Sequence, residues 1–319
     1  MRLNRTFDEF QRRHRWLGFT LAVRQKYSDD QGGYLAATIS YYGFFSLFPL
    51  LLVLTTVLGF VLRNHPSLER RIVGSALAQF PVIGPQIRTR ALHGNALALG
   101  VGLAAALWAG TSVFLAMENA MNQLWGVPFR RRPDLLHARA RALVLLLALG
   151  VVLLASTALG GFGTVGSRFG LAWKIGSVVL STLLNVGLFW VGFRVLTATD
   201  VGWRDVRGGA IAAAVLYEAL QLLGGVYVDH VRHASNAYGT FAIVIGLLSY
   251  IYLAAMVTLY AAEANVVANR HLWPRSFSLI GEEPPTPADK QALTQRSRVE
   301  ERRQDQRVGV EFREDDDGR

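Results

Sequence analysis

Six long apolar runs alternate with polar, mostly basic segments along this chain. The first run, Tyr34–Leu62, contains no charged residue. A helix needs about 20 apolar residues to cross the hydrocarbon core of a bilayer. Each run is near or above that length, and the six lie at about 34–62, 96–120, 142–165, 171–196, 206–228 and 240–268. The pattern therefore predicts an all-α, polytopic membrane protein whose six transmembrane helices form one domain over residues 34–269.

The segment before the first run predicts an amphipathic helix over residues 3–27. Its apolar side chains recur at spacings of three, four or seven, and Arg and Lys occupy other positions. A basic amphipathic helix is typical of the membrane interface, so residues 1–33 are predicted to lie on the cytoplasmic surface. The alternative is a helix packed on a neighbour. The segment lacks the apolar region and cleavage site of a signal peptide, and we expect none.

The end of the sequence changes in composition from about residue 276. Three prolines, Pro284, Pro285 and Pro287, precede a polar tract that ends in a short acidic run. The apolar content of this segment is too low to build a core. Residues 276–319 are therefore predicted to be a disordered, charged cytoplasmic tail.

Composition agrees with a membrane protein. Of the 319 residues, 51% are hydrophobic and 18% are charged, whereas soluble domains carry about 25% charged residues. The net charge of +10 is compatible with nucleic acid or with anionic membrane surfaces. In membrane proteins Lys and Arg gather in cytoplasmic loops and contact anionic headgroups. We therefore expect membrane lipids as partners and no nucleic acid.

The distribution of basic residues predicts the orientation of the chain. With six spans, 25 of the 33 Lys and Arg residues lie on the side that carries both termini. Without the tail, that side still holds 15 basic residues against 8. The positive-inside rule places this side in the cytoplasm. The sequence thus predicts a multi-pass protein of the bacterial inner membrane with both termini cytoplasmic.

Polar side chains inside the apolar runs are the candidates for function, because burying them in lipid is costly. Three are acids, of which Glu218 is predicted to lie deepest. We interpret the set as a substrate pathway or polar core; the alternative is hydrogen bonding between helices, worth about 0.6 kcal/mol on average. The candidate residues are Tyr41, Tyr42, Ser46, Pro49, Glu118, Asn122, Asn185, Glu218, Gln221, Glu263 and Asn265.

Pro49 gives the first run a special feature. Proline removes a backbone hydrogen bond and leaves the carbonyl near Phe45 without its helical donor. Discontinuous helices at polar cavities are the pattern of transporter binding sites. The alternative is a packing kink that the hydroxyl of Ser46 repairs.

No constellation of catalytic residues accompanies these features. The chain has no cysteine, so disulfides, thiolate nucleophiles and Cys-ligated metals are excluded. It also lacks HExxH, GxSxG and Walker patterns. Asp229, His230 and His233 are too isolated to be expected to bind catalytic zinc, which takes three protein ligands. We therefore expect no enzymatic activity, no metal and no cofactor.

Three stretches of the sequence resemble one known family. They are AATISYYGFFSLFPLLLVL in the first run, ENAMNQLWGVPFRRRP after the second, and YGTFAIVIGLLSYIYLAAMVTLYAAEANVV in the sixth. Together they are similar to the YihY/BrkB family of bacterial inner-membrane proteins, over roughly residues 10–273. The family-matching positions are Tyr41, Tyr42, Ser46, Pro49, Asn122, Trp125, Tyr238, Gly239, Glu263 and Asn265.

The resemblance implies a six-helix protein of the cytoplasmic membrane. It implies a transporter or exporter of a lipid or envelope component, with an unknown small-molecule or lipid substrate. An alternative is a non-transporting scaffold in envelope biogenesis that recruits partners through its basic tail and loops. Members have also been labelled ribonuclease BN, and the metal site that such a nuclease needs is not predicted here.

Overall fold

The computed structural model of the chain describes residues 15–61, 96–146, 170–199, 201–234, 239–276 and 285–312. Within these ranges all regular structure is helical, and a short 3₁₀ turn spans Phe129–Arg131. The helices are α1 (Arg15–Asp29), α2 (Gly32–Val61), α3 (Ala96–Leu124), α4 (135–146), α5 (Gly170–Val195), α6 (Arg207–Ala234), α7 (Gly239–Arg270) and α8 (Pro287–Arg298).

Five helices coincide closely with predicted apolar runs. The bounds of α2, α3, α5, α6 and α7 differ from the predicted ones by a few residues. Helix α4 overlaps only the start of the run at 142–165, and the rest of that run lies outside the described residues, as do residues 3–14 of the predicted amphipathic helix. The number of membrane crossings stays a prediction.

Helix α7 contains the clearest membrane-crossing segment. Among the described residues, Val244–Arg270 alone has both the length and the hydropathy to cross a membrane, and Thr182–Val195 in α5 is a shorter apolar segment. Large apolar side chains also face outward on several helices, an arrangement that marks contact with lipid or a partner. Examples are Tyr34, Phe45, Trp108, Leu183, Ile211, Leu223 and Ile245.

Helix α7 is the centre of the packing, since α1, α2, α3 and α6 all contact it. On one side the rings of Tyr27 and Tyr260 stack with centroids 4.0 Å apart. On another, Gly209 of α6 lies so close to α7 that an added Cβ would overlap the carbonyl oxygen of Ala261. Small residues permit such close approach where lipid supplies no hydrophobic drive between helices.

Helices α3 and α7 each end with a residue of positive φ, the backbone conformation that glycine adopts most easily. At the end of α3, Val127 N donates to Asn122 O over 2.8 Å and Gly126 has a φ of 63°. At the end of α7, Leu272 N donates to Val267 O over 3.1 Å and His271 has a φ of 53°. These six-to-one bonds are those of the Schellman motif, which turns the chain sharply at both points.

Residues 285–312 differ from the predicted disordered tail. Thr286 and Asp289 cap α8 reciprocally, and Pro287 occupies the first helical position, both strong helix-start features. The chain then pairs with the turn after α3, where Phe129 N donates to Val299 O (3.1 Å) and Arg130 N to Glu301 O (3.0 Å). Polar contacts, rather than a large apolar core, order this segment. Residues 277–284 and 313–319 lie outside the described residues.

Candidate functional site

Three charged side chains are buried together between α1, its following turn and α7. Lys26 donates a hydrogen bond to Asp30 and another to Leu124 O at 3.2 Å. Its ammonium also lies 3.7 Å from the carboxylate of Glu263. The side chains of Lys26 and Glu263 are 4% and 0% exposed. Because buried charges are expensive unless paired, this contact fixes α1 against α7.

A second buried ion cluster adjoins the first through the neighbouring residues Asp29 and Asp30. Arg275 lies 2.7 Å from Asp29 and donates to Asp289 over 2.8 Å. Asp289 also accepts hydrogen bonds from Ser276 N and Oγ at 3.0 and 2.7 Å. The cluster therefore joins α1, the segment after α7 and the first turn of α8.

Among the residues that the structure describes, acidic side chains outnumber basic ones within these two clusters. The acids are Asp29, Asp30, Glu263 and Asp289, and the bases are Lys26 and Arg275. Asp289 is well supplied with donors, whereas Glu263 faces the carboxyl group of Asp30 and the ammonium of Lys26. Glu263 and Asp30 are thus two buried acidic side chains that share one ammonium.

The carboxylates shift the proton affinity of the groups around them. Burial lowers the pKa of Lys26, but Glu263 and Asp30 outweigh that effect and raise it above the ordinary value. Lys26 is therefore charged at neutral pH. Burial, reinforced by Tyr252, Tyr260 and Glu263, raises the pKa of Tyr27, so the phenol stays protonated.

Asn122 and Asn265, both predicted site residues, bind backbone groups at helix ends. Asn265 Oδ1 accepts from Gly209 N over 2.6 Å, and its Nδ2 donates to Val206 O over 3.2 Å. It thereby caps the N-terminus of α6 from the neighbouring helix α7, because first-turn N–H groups have no helical acceptor. Asn122 Oδ1 accepts from Ala198 N over 2.7 Å and holds the turn after α5 against α3.

The other two acids have separate partners. Glu118 is buried and lies 3.4 Å from Arg141 of α4. Glu218 accepts from Asn185 Nδ2 over 2.9 Å, so these two predicted site residues are in contact between α5 and α6. Gln221, one turn further along α6, is half-buried. Glu118 and Glu263 therefore contact different cations, and no hydrogen bond within the described residues joins them.

The aromatic part of the predicted site faces outward on α2. Tyr41 is 56% and Tyr42 40% exposed, and their ring centroids are 5.5 Å apart. Ser46 Oγ donates to Gly43 O over 2.8 Å, rather than to the carbonyl near Phe45. Helix α2 runs without interruption from Gly32 through Pro49 to Val61, so the backbone is not discontinuous here.

Sequence reasoning missed most of the buried charge cluster. The missed residues are Lys26, Asp29, Asp30, Arg275 and Asp289. The (i, i+4) spacing of Lys26 and Asp30 is a recognisable helix pair, but it does not reveal burial. In the described part of the chain, no group of three or more His, Cys, Asp and Glu side chains could hold a metal ion.

Comparison with known proteins places this site in a family context. The family model described as Virulence factor BrkB matches residues 23–277. A UPF0761 membrane protein of Azotobacter vinelandii is 29% identical over 285 residues, which cover 83% of this chain and 68% of that protein. Another, from Stenotrophomonas maltophilia, is 27% identical over 287 residues, covering 82% of this chain and 63% of the relative.

A third relative, the UPF0761 membrane protein AZOSEA40600 of Aromatoleum aromaticum, is 25% identical over 247 residues. The match covers 72% of this chain and 58% of that protein. The chain thus spans between 58% and 68% of the length of these relatives. No solved structure matches the chain.

Proposed function

Since the chain belongs to the BrkB family of bacterial membrane proteins, we propose that it exports a lipid or another envelope component across the inner membrane. In this proposal it is a multi-pass protein that acts without catalysis, and both termini are cytoplasmic. The excess of Lys and Arg on the side of the termini supports that orientation. The outward-facing apolar side chains supply the lipid-contacting surface.

The observation that carries the proposal is the buried contact between Lys26, Asp30 and Glu263. Ionisable residues within membrane segments are expensive and usually mark ion or substrate paths. Here two acidic side chains, Asp30 and Glu263, contact one ammonium. The cluster can therefore hold or release one proton on a carboxyl group while Lys26 keeps a carboxylate partner.

This property would couple the cluster to movement of α1 against α7. When both acids are ionised, Lys26 is held by two carboxylates. When one carboxylate is neutralised, Lys26 keeps a single strong partner, and one link between α1 and α7 weakens. The cluster would in this way convert proton or cation uptake into a change at the α1–α7 contact.

Transport is tested by reconstituting the full chain in liposomes that contain fluorescent zwitterionic or anionic lipids. A membrane-impermeant quencher then reports lipid movement with and without a pH difference. We expect faster movement than in protein-free liposomes, and a rate that depends on the pH difference. Folded, inserted protein that moves none of these lipids under either condition would contradict the lipid-export proposal.

The scaffold alternative relies on a tail that is free to recruit partners. Residues 285–312 instead bind the chain's own turns through Asp289, Val299 and Glu301. That docking leaves less of the segment available to a partner. These contacts therefore support the scaffold proposal less than the exporter proposal. Deletion of the tail distinguishes the two proposals, because a tail-based scaffold would lose its function entirely.

A further inference from the structure

A cavity of about 480 Å³ lies between the C-terminal segment and the turns that follow α3, α5 and α7. Residues 125–128 with Arg130 and Arg131 form one side, Thr199 contributes from the turn after α5 and Arg270 from the end of α7, and residues between Gln295 and Gly309 close it. Its volume is within the range of small-molecule sites, about 300–1,000 Å³. The cavity is separate from the Lys26–Glu263 contact, because none of the three residues of that cluster lines it.

The lining of this cavity is strongly basic. Five arginines contribute to it, and Glu301 is the single acid among the lining residues. Glu301 is already engaged, because its carboxylate lies 2.7 Å from Arg130 Nη2. The arginines are Arg130, Arg131, Arg270, Arg298 and Arg307, which with Glu301 give a net charge of +4.

Two of these arginines are held in place by contacts that leave donors available. Arg270 Nη2 donates to Trp125 O over 2.7 Å, and its guanidinium lies 5.8 Å from the centroid of the Trp125 ring. Arg130 donates to Gln304 O over 3.1 Å, and its buried Nε has no acceptor among the described residues. A guanidinium has five N–H donors, so each retains some for a ligand.

Like charges crowded into one cavity repel one another unless an anion joins them. Guanidinium groups match phosphate oxygens in geometry and bind them in pairs. We propose that this cavity binds a phosphate-bearing anion, either a phospholipid headgroup or a soluble organic phosphate. This inference does not rest on transport, because it concerns binding alone.

Ligand binding would also strengthen docking of the C-terminal segment. Arg298 and Arg307 belong to that segment, whereas Arg130 and Arg131 belong to the turn after α3 and Arg270 to the end of α7. An anion between the two sets bridges them. The ligand should therefore protect residues 295–309 from hydrogen exchange, and that readout is independent of any transport assay.

The test uses the purified full chain in an uncharged detergent and inorganic pyrophosphate as the soluble probe. Calorimetry measures binding of pyrophosphate, and hydrogen exchange measures protection of residues 295–309. Nanodiscs with phosphatidylglycerol, compared with nanodiscs of phosphatidylcholine alone, provide the lipid arm.

The variant is Arg298→Gln/Arg307→Gln. The matched control is Arg302→Gln/Arg303→Gln, whose two arginines lie in the same segment with exposed side chains outside the cavity lining.

We expect the cavity variant to bind pyrophosphate or phosphatidylglycerol, whichever the native chain binds, with at least about tenfold lower affinity, since charge-assisted bonds are lost. The control variant should bind like the native chain. Pyrophosphate binding supports a soluble phosphate, and phosphatidylglycerol-dependent protection without pyrophosphate binding supports a lipid headgroup. Equal losses of affinity in both variants would attribute binding to the net charge of the segment rather than to the cavity, and would overturn the proposal. Absence of binding in both arms would also overturn it. Arg307→Gln alone, outside α8, serves if the double variant is unstable.

Discussion

The ammonium of Lys26 lies 3.7 Å from the carboxylate of Glu263, 237 positions later in the chain, and both side chains are almost completely withdrawn from solvent. The same ammonium also contacts Asp30. This relationship ties α1 to α7 and places two acidic side chains at one ammonium, the arrangement on which the proposed function rests.

Removing the cation of this contact should be strongly destabilising. Lys26→Met keeps much of the side-chain volume but leaves Asp30 and Glu263 buried together without the ammonium that both contact. Breaking a buried ion pair from one side costs about 3 to 5 kcal/mol. We expect a loss of this order in the free energy of unfolding, measured by denaturation in detergent.

The double variant Lys26→Met/Glu263→Gln should recover part of that loss, because one uncompensated charge is removed. Lys290→Met is the matched control, since Lys290 is exposed and its ammonium lies 5.3 Å from the centroid of the Phe312 ring. If Lys26→Met is no more harmful than Lys290→Met, the buried pairing is not important for stability.

Docking of α8 should depend on Asp289. The Asp289→Ala variant removes the acceptor for Arg275, Ser276 and Thr286 and leaves Arg275 with fewer partners. The local loss should be about 2 to 4 kcal/mol. Hydrogen exchange of residues 287–298 should then be at least about tenfold faster.

The control for this prediction is Asp305→Asn, whose side chain is 71% exposed and paired with Arg303. It removes a charge from the same segment without touching the buried cluster. Unchanged exchange of α8 in Asp289→Ala would show that other contacts hold the helix.

Acid should release the same segment. Burial raises the pKa of Asp289, but hydrogen bonds from Arg275, Ser276 and Thr286 outweigh it and hold the pKa below its ordinary value of 3.8. A lowered folded-state pKa gives stability that is complete above the unfolded-state pKa and is lost as the pH falls through the folded-state one.

Protection of residues 287–298 should thus be constant between about pH 7 and 5 and decrease below about pH 4. Hydrogen exchange corrected for intrinsic rates measures it. Asp289→Asn should lack this acid step. A transition near neutral pH, or the same acid step in Asp289→Asn, would assign the effect to other groups.

Two adjacent glycines should respond differently to alanine. At Gly209 an added Cβ meets the Ala261 carbonyl and the Asn265 amide, whereas at Gly208 the nearest atom is Asn265 Oδ1 at 3.8 Å. Overpacking costs about 1 to 3 kcal/mol, and displacing Asn265 loses a helix cap worth about 1 kcal/mol.

Gly209→Ala should therefore lower thermal stability by several degrees, while Gly208→Ala should leave it unchanged or slightly higher. Because both substitutions lie in the first turn of α6 and add the same methyl group, the comparison isolates the α6–α7 contact. Equal effects would indicate that α6 does not approach α7 as closely as described.

The positions of the helices could be predicted because long uncharged runs are a local property of the sequence. The partners of the polar residues could not, since Lys26 and Glu263 or Asn265 and Gly209 meet only after packing. Asn122 and Asn265 looked like a polar pathway, yet their amides bind backbone groups whose positions depend on neighbouring helices. Their part in any pathway remains a prediction.

The sequence at the start of the C-terminal helix contains a helix-start signal, but the low apolar content of the segment led to the prediction of disorder. Thr286, Pro287 and Asp289 have the spacing of a helix start. No local pattern could predict that the buried Arg275 binds Asp289, or that the turn after α3 pairs with Val299 and Glu301. These distant polar contacts order a segment whose composition favours disorder.

The central claim is that the buried acid of α7 serves transport rather than stability, and Glu263→Gln tests it most directly. The variant keeps the shape of the side chain and cannot ionise, and Lys26 keeps Asp30 as its partner, so the free energy of unfolding should be unchanged or higher. In the liposome assay, its lipid movement should lose the dependence on the pH difference, while Glu300→Gln, an exposed acid in the C-terminal segment, should behave like the native chain. Full pH-dependent movement by folded Glu263→Gln protein would contradict the claim.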